Sequence, residues 1–122
     1  MRILIAGKQK TLRNALKGLL QTRPGYDVVG TVADEEELFI QVETKSPDLL
    51  LLNDDLTEML VEVVIAPLQQ FDPSPKILVL SGRTASRKAY LDAGVVAFVD
   101  KSDPPKSFLT AIEEIRFRRN SV

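Results

Sequence analysis

The sequence contains no cysteine and no histidine among its 122 residues. These two absences exclude thiol nucleophiles, disulfides, thiolate or imidazole metal ligands, and histidine general bases. No apolar run approaches the roughly 18 residues that a membrane-spanning helix needs, and no charged and apolar leader precedes the first predicted strand. We therefore expect a cytoplasmic protein that does not contact a membrane.

An excess of charge of either sign is also absent. Sixteen Lys and Arg residues against 17 Asp and Glu residues give a formal net charge of -1, so no overall field favours nucleic acid, and we expect no direct nucleic-acid binding. The one basic cluster, Arg116, Arg118 and Arg119, is typical of a solvated helix end. A composition of 44% hydrophobic and 27% charged residues fits one globular domain over residues 1–122.

The stretch 46–55 organises the predicted fold. Pro47 cannot continue a helix, and the four leucines of residues 49–52 follow it. A short apolar run closed by polar residues is typical of a parallel strand buried on both faces. Open α/β sheets place their sites at the carboxyl ends of such strands, so this strand delivers Asn53, Asp54 and Asp55 to the predicted site.

Further elements alternate along the chain. Strands are predicted at 2–6, 27–32, 76–80 and 95–99. Helices are predicted from Leu12 to the Arg23-Pro24-Gly25 turn, from the cap at Asp34 to about Lys45, from Leu56 to about Gln70, around 85–93, and after Ser102 or Asp103. In the third helix we expect Met59, Leu60, Val63, Val64 and Leu68 to line one face, and Pro67 to kink or end it.

This alternation predicts an α/β fold with a doubly wound, five-stranded parallel sheet of order 2-1-3-4-5. The architecture is three-layer α/β/α and flavodoxin-like. The site is expected between the first and third strands, where the winding reverses. That crevice collects the strand-end residues Gly7, Lys8, Asn53, Asp54, Asp55, Ser81 and Lys101.

Several motifs in this order resemble one known family. They are the opening strand 2–6, Pro47-Asp48 before an apolar strand, Val79-Leu80-Ser81, Asp92-Ala93-Gly94, and Phe98-Val99-Asp100-Lys101. Over nearly its whole length the chain is similar to the receiver domains of two-component response regulators, which act in signal transduction. It is most similar to LuxR/NarL-type receivers, which carry a DNA-binding helix-turn-helix output domain. Residues 117–122 are interpreted as the start of a linker to such a domain.

The resemblance also implies a site. Receivers hold magnesium with an acidic pair after the first strand and with an aspartate ending the third, and that aspartate accepts the phosphoryl group. A serine or threonine and a lysine contact the phosphoryl group, and Ser81 and Lys101 match them. The acidic pair falls on Gly7 and Lys8, the acceptor position on Asn53, and an expected proline on Thr57.

These departures change the predicted chemistry. An amide has neither the charge nor the basicity to attack phosphorus, so Asn53 cannot be the acceptor. Magnesium needs carboxylate oxygens that Gly7 and Lys8 do not supply, and a positive charge about 5 Å from a dication costs up to roughly 6 to 7 kcal/mol. We expect no magnesium and no other cofactor. A single silencing substitution would explain Asn53 but not Gly7 and Lys8.

The leading interpretation is a degenerate, non-enzymatic receiver that acts without phosphorylation as a protein-interaction or dimerisation module. The resemblance places its interaction face on the fourth helix, fifth strand and fifth helix, near Tyr90, Phe98, Phe108 and Phe117, although Phe108 also fits the core. One alternative is phosphorylation on a displaced acceptor, Asp54, which strand alternation would point away from the pocket. Another is a small-anion or nucleotide-phosphate site at Lys8 and Lys101. Both lysines could instead pair with nearby aspartates.

Overall fold

The computed structural model describes residues 1–118. Its five strands are parallel and form one sheet in the order β2-β1-β3-β4-β5. The strands are β1 (Arg2–Ala6), β2 (Asp27–Val32), β3 (Leu49–Asn53), β4 (Lys76–Ser81) and β5 (Ala97–Asp100). The predicted doubly wound sheet and its strand order are confirmed, with β1 and β3 adjacent where the winding reverses.

Helices connect the strands. They are α1 (Lys10–Gln21), α2 (Glu35–Lys45), α3 (Ala66–Leu68), α4 (Arg87–Asp92) and α5 (Pro105–Arg118). Single 3₁₀ turns occupy Asp54–Leu56 and Thr84–Ser86, and a π-helical segment, Val61–Ile65, runs directly into α3. The predicted cap of α2 is confirmed, because the Asp34 carboxylate accepts a hydrogen bond of 2.8 Å from the Glu37 N–H.

The strand β3 is buried at every residue, as its four leucines predict. Successive side chains alternate between the two faces of the sheet. Leu50 and Leu52 pack in one core with residues of α2, α3 and α4. Leu49 and Leu51 pack in the other with residues of α1 and α5. The three-layer arrangement follows from this two-sided burial.

The predicted helix from Leu56 to Gln70 is wrong in its extent. The chain makes a 3₁₀ turn that ends at Leu56, leaves helical geometry at Thr57, and resumes in the π-helical segment before Pro67. Pro67 has no N–H to donate, which favours the irregular π-helical geometry of the segment before it. The interruption rotates Met59 into solvent, with 57% of its surface exposed, while Leu60, Val64 and Leu68 stay buried.

The fifth strand begins two residues later than predicted. Gly94 adopts a positive φ of 106° and ends the turn after α4, as expected from its position. Val95 and Val96 then form a connection in which the Val96 N–H donates to the Ile77 carbonyl at 2.9 Å. Regular pairing with β4 starts only at Ala97.

Two further predictions concern the ends of the molecule. Within residues 1–118 no helix is both long enough and apolar enough to cross a membrane. Part of the predicted linker, residues 119–122 including Arg119, lies outside the described residues. Residues 117 and 118 belong to α5.

Candidate functional site

The carboxyl ends of β3, β4 and β5 meet at one edge of the sheet. Asn53 pairs with Leu80, and Ser81 pairs with Asp100. The Lys101 N–H donates to the Ser81 carbonyl at 2.9 Å, which fixes the start of the loop after β5. In that loop the N–H and hydroxyl of Ser102 both donate to Asp100 at 2.8 Å, and these bonds lower the pKa of Asp100.

Gly7 and Asn53 contact each other across β1 and β3. A Cβ atom added at Gly7 would lie 2.8 Å from the Asn53 Cβ and 3.3 Å from its side-chain nitrogen. Carbon atoms do not approach so closely without a shift of the backbone. The position therefore requires glycine in this structure, and the missing side chain is a steric requirement as well as a missing ligand.

Asp55 lies against the same glycine. Its Oδ1 accepts a hydrogen bond of 3.0 Å from the Lys8 N–H and would lie 3.3 Å from an added Gly7 Cβ. Asn53 Oδ1 in turn accepts from the Asp55 N–H at 3.4 Å. Asn53 Nδ2 and Asp55 Oδ2 are buried and make no hydrogen bond to the part of the chain that the structure describes.

Asp54 lies in the pocket, whereas simple strand alternation predicts that it points away. The strand ends at Asn53, and the 3₁₀ turn that follows redirects the Asp54 side chain toward β4. Only 7% of Asp54 is exposed. Its Oδ2 accepts a 2.5 Å hydrogen bond from the Ser81 hydroxyl, and its Oδ1 lies 3.8 Å from the Lys101 ammonium.

Two residues that the sequence did not place in the pocket complete the surroundings of Asp54. The Arg83 guanidinium lies 3.2 Å from Asp54 Oδ2, and the Tyr90 hydroxyl lies 3.4 Å from the same oxygen. Hydrogen bonding to Asp54 and its charge raise the pKa of Arg83. Burial, and then the Asp54 charge, raise the pKa of Tyr90. Arg83 follows a predicted strand end and could have been found that way, but the aim of Tyr90 depends on the rotation of α4.

The charge balance of the whole pocket differs from the charge balance at the four positions that match the family's charged site residues. Those positions, Gly7, Lys8, Asn53 and Lys101, hold no carboxylate and two lysines, but the neighbouring Asp54 and Asp55 bring two carboxylates into the site. Lys101 pairs with Asp54, whereas the Lys8 side chain is exposed and forms no ion pair within residues 1–118. The predicted pairing of a lysine with an aspartate is confirmed for Lys101. An anion site at Lys8 and Lys101, the alternative function, would therefore have only the Lys8 ammonium unpaired among the residues described.

The four aromatics predicted near an interaction face do not share one exposed surface. Tyr90 and Phe108 are buried, so neither ring is open to solvent in this structure, and their assignment to an interaction face stays a prediction. Phe98 is partly buried, stacks on Tyr90 with ring centroids 6.2 Å apart, and lies under the Arg87 guanidinium. Only Phe117, near the end of α5, is largely exposed. Tyr90 turns inward because its hydroxyl reaches Asp54.

A model of the response regulator receiver domain matches residues 3–113. The chain belongs to this family. Its crevice between β1 and β3, with Ser81 and Lys101 at the strand ends, lies where receivers carry their site. The chain is therefore a receiver domain of two-component signal transduction.

Known proteins similar to this receiver domain include regulators and enzymes. The chain is 29% identical over 116 residues to a putative transcriptional regulator of Pseudomonas aeruginosa, covering 93% of this chain and 56% of that protein. It is 28% identical over 110 residues to protein-glutamate methylesterase/protein-glutamine glutaminase 4 of Geobacter metallireducens, covering 86% of this chain and 31% of that protein. The chain thus spans between about a third and about half of these relatives.

Solved structures confirm the CheY-like, flavodoxin-like fold. A LuxR-family response regulator from Aurantimonas sp. SI85-9A1 is 28% identical with a TM-score of 0.82, covering 93% of this chain and 83% of that one. The isolated receiver domain of RcsB from Salmonella enterica serovar Typhimurium, solved with the phosphomimetic BeF3-, is 20% identical with a TM-score of 0.85, covering 95% and 88%. The second similarity concerns the fold alone.

The donor groups of this pocket do not fit the magnesium ion that the family implies. Within residues 1–118 no cluster of three or more Asp, Glu, His or Cys side chains could hold a metal. Asn53 Nδ2, a hydrogen-bond donor, is buried beside Gly7, and Asp54 is already paired with Lys101 and Arg83. Magnesium requires several oxygen ligands in near-octahedral array, and this arrangement does not supply them.

Proposed function

We propose that this receiver domain acts without phosphorylation, as a non-enzymatic protein-interaction module inside the cytoplasm. The observation that carries the proposal is the Asn53 amide at the end of β3, in steric contact with Gly7. An amide is not a nucleophile toward phosphorus. β1 also approaches β3 too closely for a side chain at position 7, so that position supplies no carboxylate to the crevice.

The module would control an output domain or a partner protein. The putative transcriptional regulator from Pseudomonas aeruginosa is nearly twice as long as its matching segment, and a receiver of this type is commonly part of a longer regulator. We propose that any DNA contact belongs to such an output domain. The α4–β5–α5 side, with Phe98 and Phe117 accessible, is the face proposed for a partner or for a second copy.

A second candidate function is phosphorylation on Asp54. It is favoured by one observation, which is that Asp54 contacts Ser81 and Lys101, the two residues matching the family's phosphoryl contacts. Against it, Asp54 is almost fully buried and its Oδ2 already accepts from Ser81, Arg83 and Tyr90. A nucleophile needs a free lone pair in line with the phosphorus, so we rank this function second.

Incubation with acetyl phosphate and magnesium tests the proposal. Intact-protein mass spectrometry should show no gain of a phosphoryl group, either on the wild type or on an Asp54→Ala variant treated in the same way. A phosphoryl adduct that disappears in Asp54→Ala would establish the second function instead. An adduct at any other aspartate of the pocket would also overturn the proposal.

A further inference from the structure

The carboxylate of Asp54 connects four elements of the fold. It follows β3, and it contacts Ser81 at the end of β4, Lys101 after β5 and Tyr90 in α4. Arg83, between β4 and α4, covers it from the solvent side with 56% of its side chain exposed.

We propose that the Asp54 carboxylate is a built-in substitute for a phosphoryl group, which holds Ser81, Lys101 and Tyr90 permanently engaged and so fixes the conformation of residues 81–94. This inference rests on the proposed function, because it assumes that no phosphoryl group arrives. It adds that the conformation in which Ser81, Lys101 and Tyr90 contact an anion needs no phosphoryl group. A carboxylate and a phosphoryl group share the features required here, which are negative charge and several acceptor lone pairs.

The contacts around Asp54 have the chemistry of an anion site already filled. Two cationic groups and two hydroxyl groups face its two oxygens, with Ser81 Oγ at 2.5 Å and Arg83 Nη2 at 3.2 Å. Ser81 is held on both sides, because its Oγ also accepts from the Arg83 N–H at 2.9 Å. Hydrogen bonds to a charged group are roughly twice as strong as neutral ones.

Tyr90 transmits this arrangement to the surface. Its ring is buried against Phe98 at 6.2 Å while its hydroxyl reaches Asp54, so α4 cannot rotate outward without breaking both contacts. Arg87, one helical turn earlier on α4, lies over the outer side of Phe98. The orientation of α4 against β5, where a partner is proposed to bind, therefore depends on the charge at position 54.

Hydrogen exchange measured by mass spectrometry on the full chain tests the inference. In Asp54→Asn, which keeps the shape and removes the charge, we expect amides of residues 84–94 to exchange about tenfold faster, since losing a charged hydrogen bond exposes a cooperative unit to opening. Helix α1 should be unchanged. The matched control is Asp92→Asn, which removes the exposed Lys88 ion pair of the same helix and should not produce the change.

A second variant and a second readout keep the test decisive. If Asp54→Asn does not fold, Tyr90→Phe removes only the hydroxyl contact and should raise exchange in 84–94 by a smaller factor. In a Tyr26→Phe background Tyr90 is the only tyrosine of the sequence. There, Asp54→Asn should lower the pH midpoint of the ultraviolet titration of the Tyr90 phenol. Unchanged exchange in residues 84–94, in a protein that acetyl phosphate does not modify, would overturn this inference alone. A phosphorylated wild type would overturn the proposed function.

Discussion

The close approach of β1 and β3 restricts the residue at position 7, because every residue except glycine at position 53 carries the Cβ that an added Gly7 Cβ would meet. The 2.8 Å separation between an added Gly7 Cβ and the Asn53 Cβ means that the acidic pair of an ordinary receiver cannot be restored without moving β1 or β3. A charge argument alone would have treated Gly7 as an empty ligand position. The structure shows that it is also a packing position, and that a change there alters stability before it alters metal binding.

Gly7→Ala should therefore destabilise the domain. The added methyl overpacks a buried contact, for which about 1–3 kcal/mol is typical. Gly18→Ala is the matched control, because an added Cβ at Gly18 meets nothing within 4 Å in the middle of α1. There the better helix former should stabilise by about 0.5–1 kcal/mol. Urea unfolding measures the free energy of unfolding of both variants, which should fall in Gly7→Ala and rise in Gly18→Ala. Equal changes in the two variants would contradict the close approach at Gly7.

Tyr90 should make stability fall at alkaline pH. Its folded-state pKa is raised above the ordinary value of about 10 by burial and by Asp54, while Arg83 acts in the opposite direction. The folded state thus binds the phenolic proton more tightly, so its contribution is complete below pH 10 and is lost as pH rises through the folded pKa. The Phe98 ring that stacks on Tyr90 is apolar and carries no charge.

Urea midpoints of the wild type and Tyr90→Phe between pH 8 and 11 measure this contribution. The wild type should lose stability relative to Tyr90→Phe as pH rises above 10. Parallel curves for the two proteins would show that Tyr90 ionises equally easily in the folded and unfolded states, which would contradict the burial and charge environment described for it.

At the scale of the elements, the strands were predictable and the third helical region was not. Runs such as 49–52 and 77–80 are continuous apolar segments between polar residues, which is typical of strands buried on both faces. The segment after β3 is different, because its residues fit one continuous helical face only if the helix is regular. The π-helical segment and Pro67 break that regularity, and apolar spacing alone does not reveal the break.

Met59 and Leu60 test the corrected helical face. Leu60 is 2% exposed and Met59 is 57% exposed, although the sequence places both on the predicted apolar face. Leu60→Ala should cost about 2–5 kcal/mol through the cavity that it leaves. Met59→Ala should stay within about 0.5 kcal/mol of the wild type. Equal losses in the free energy of unfolding, measured with urea, would contradict the observed burial and support the regular helix that the spacing predicts.

The 3₁₀ turn at Asp54–Leu56 is the element that determines the site. The sequence identifies Asn53, Ser81 and Lys101 because each follows from a strand end and the expected topology. It does not identify the role of Asp54, because a period of two residues holds only while the strand continues. One turn of helix directly after Asn53 brings the next side chain into the pocket, where Arg83 and Tyr90 also reach it.

At the scale of the whole molecule, the fold is that of a receiver domain. The residues in its crevice differ from the site residues that the resemblance implies. Five strands, their order and the two-sided core agree with the family and with structures of low sequence identity. Gly7, Asn53 and Asp55 contact one another in one crevice, and the neighbouring Asp54 pairs with Lys101 and Arg83. This preserved frame, with the Asn53 amide at the end of β3, agrees with the interaction role that we propose.

The central claim is that the pocket responds to neither magnesium nor a phosphoryl group, and backbone amide NMR measures this most directly. Wild-type protein is titrated with magnesium and then with beryllofluoride, the phosphomimetic present when the RcsB receiver domain was solved. The account predicts no shift for the amides of residues 53–55, 81–83 and 101, or of Tyr90. Saturable shifts of these amides would contradict it and would show that the crevice still binds a dication and a phosphoryl analogue.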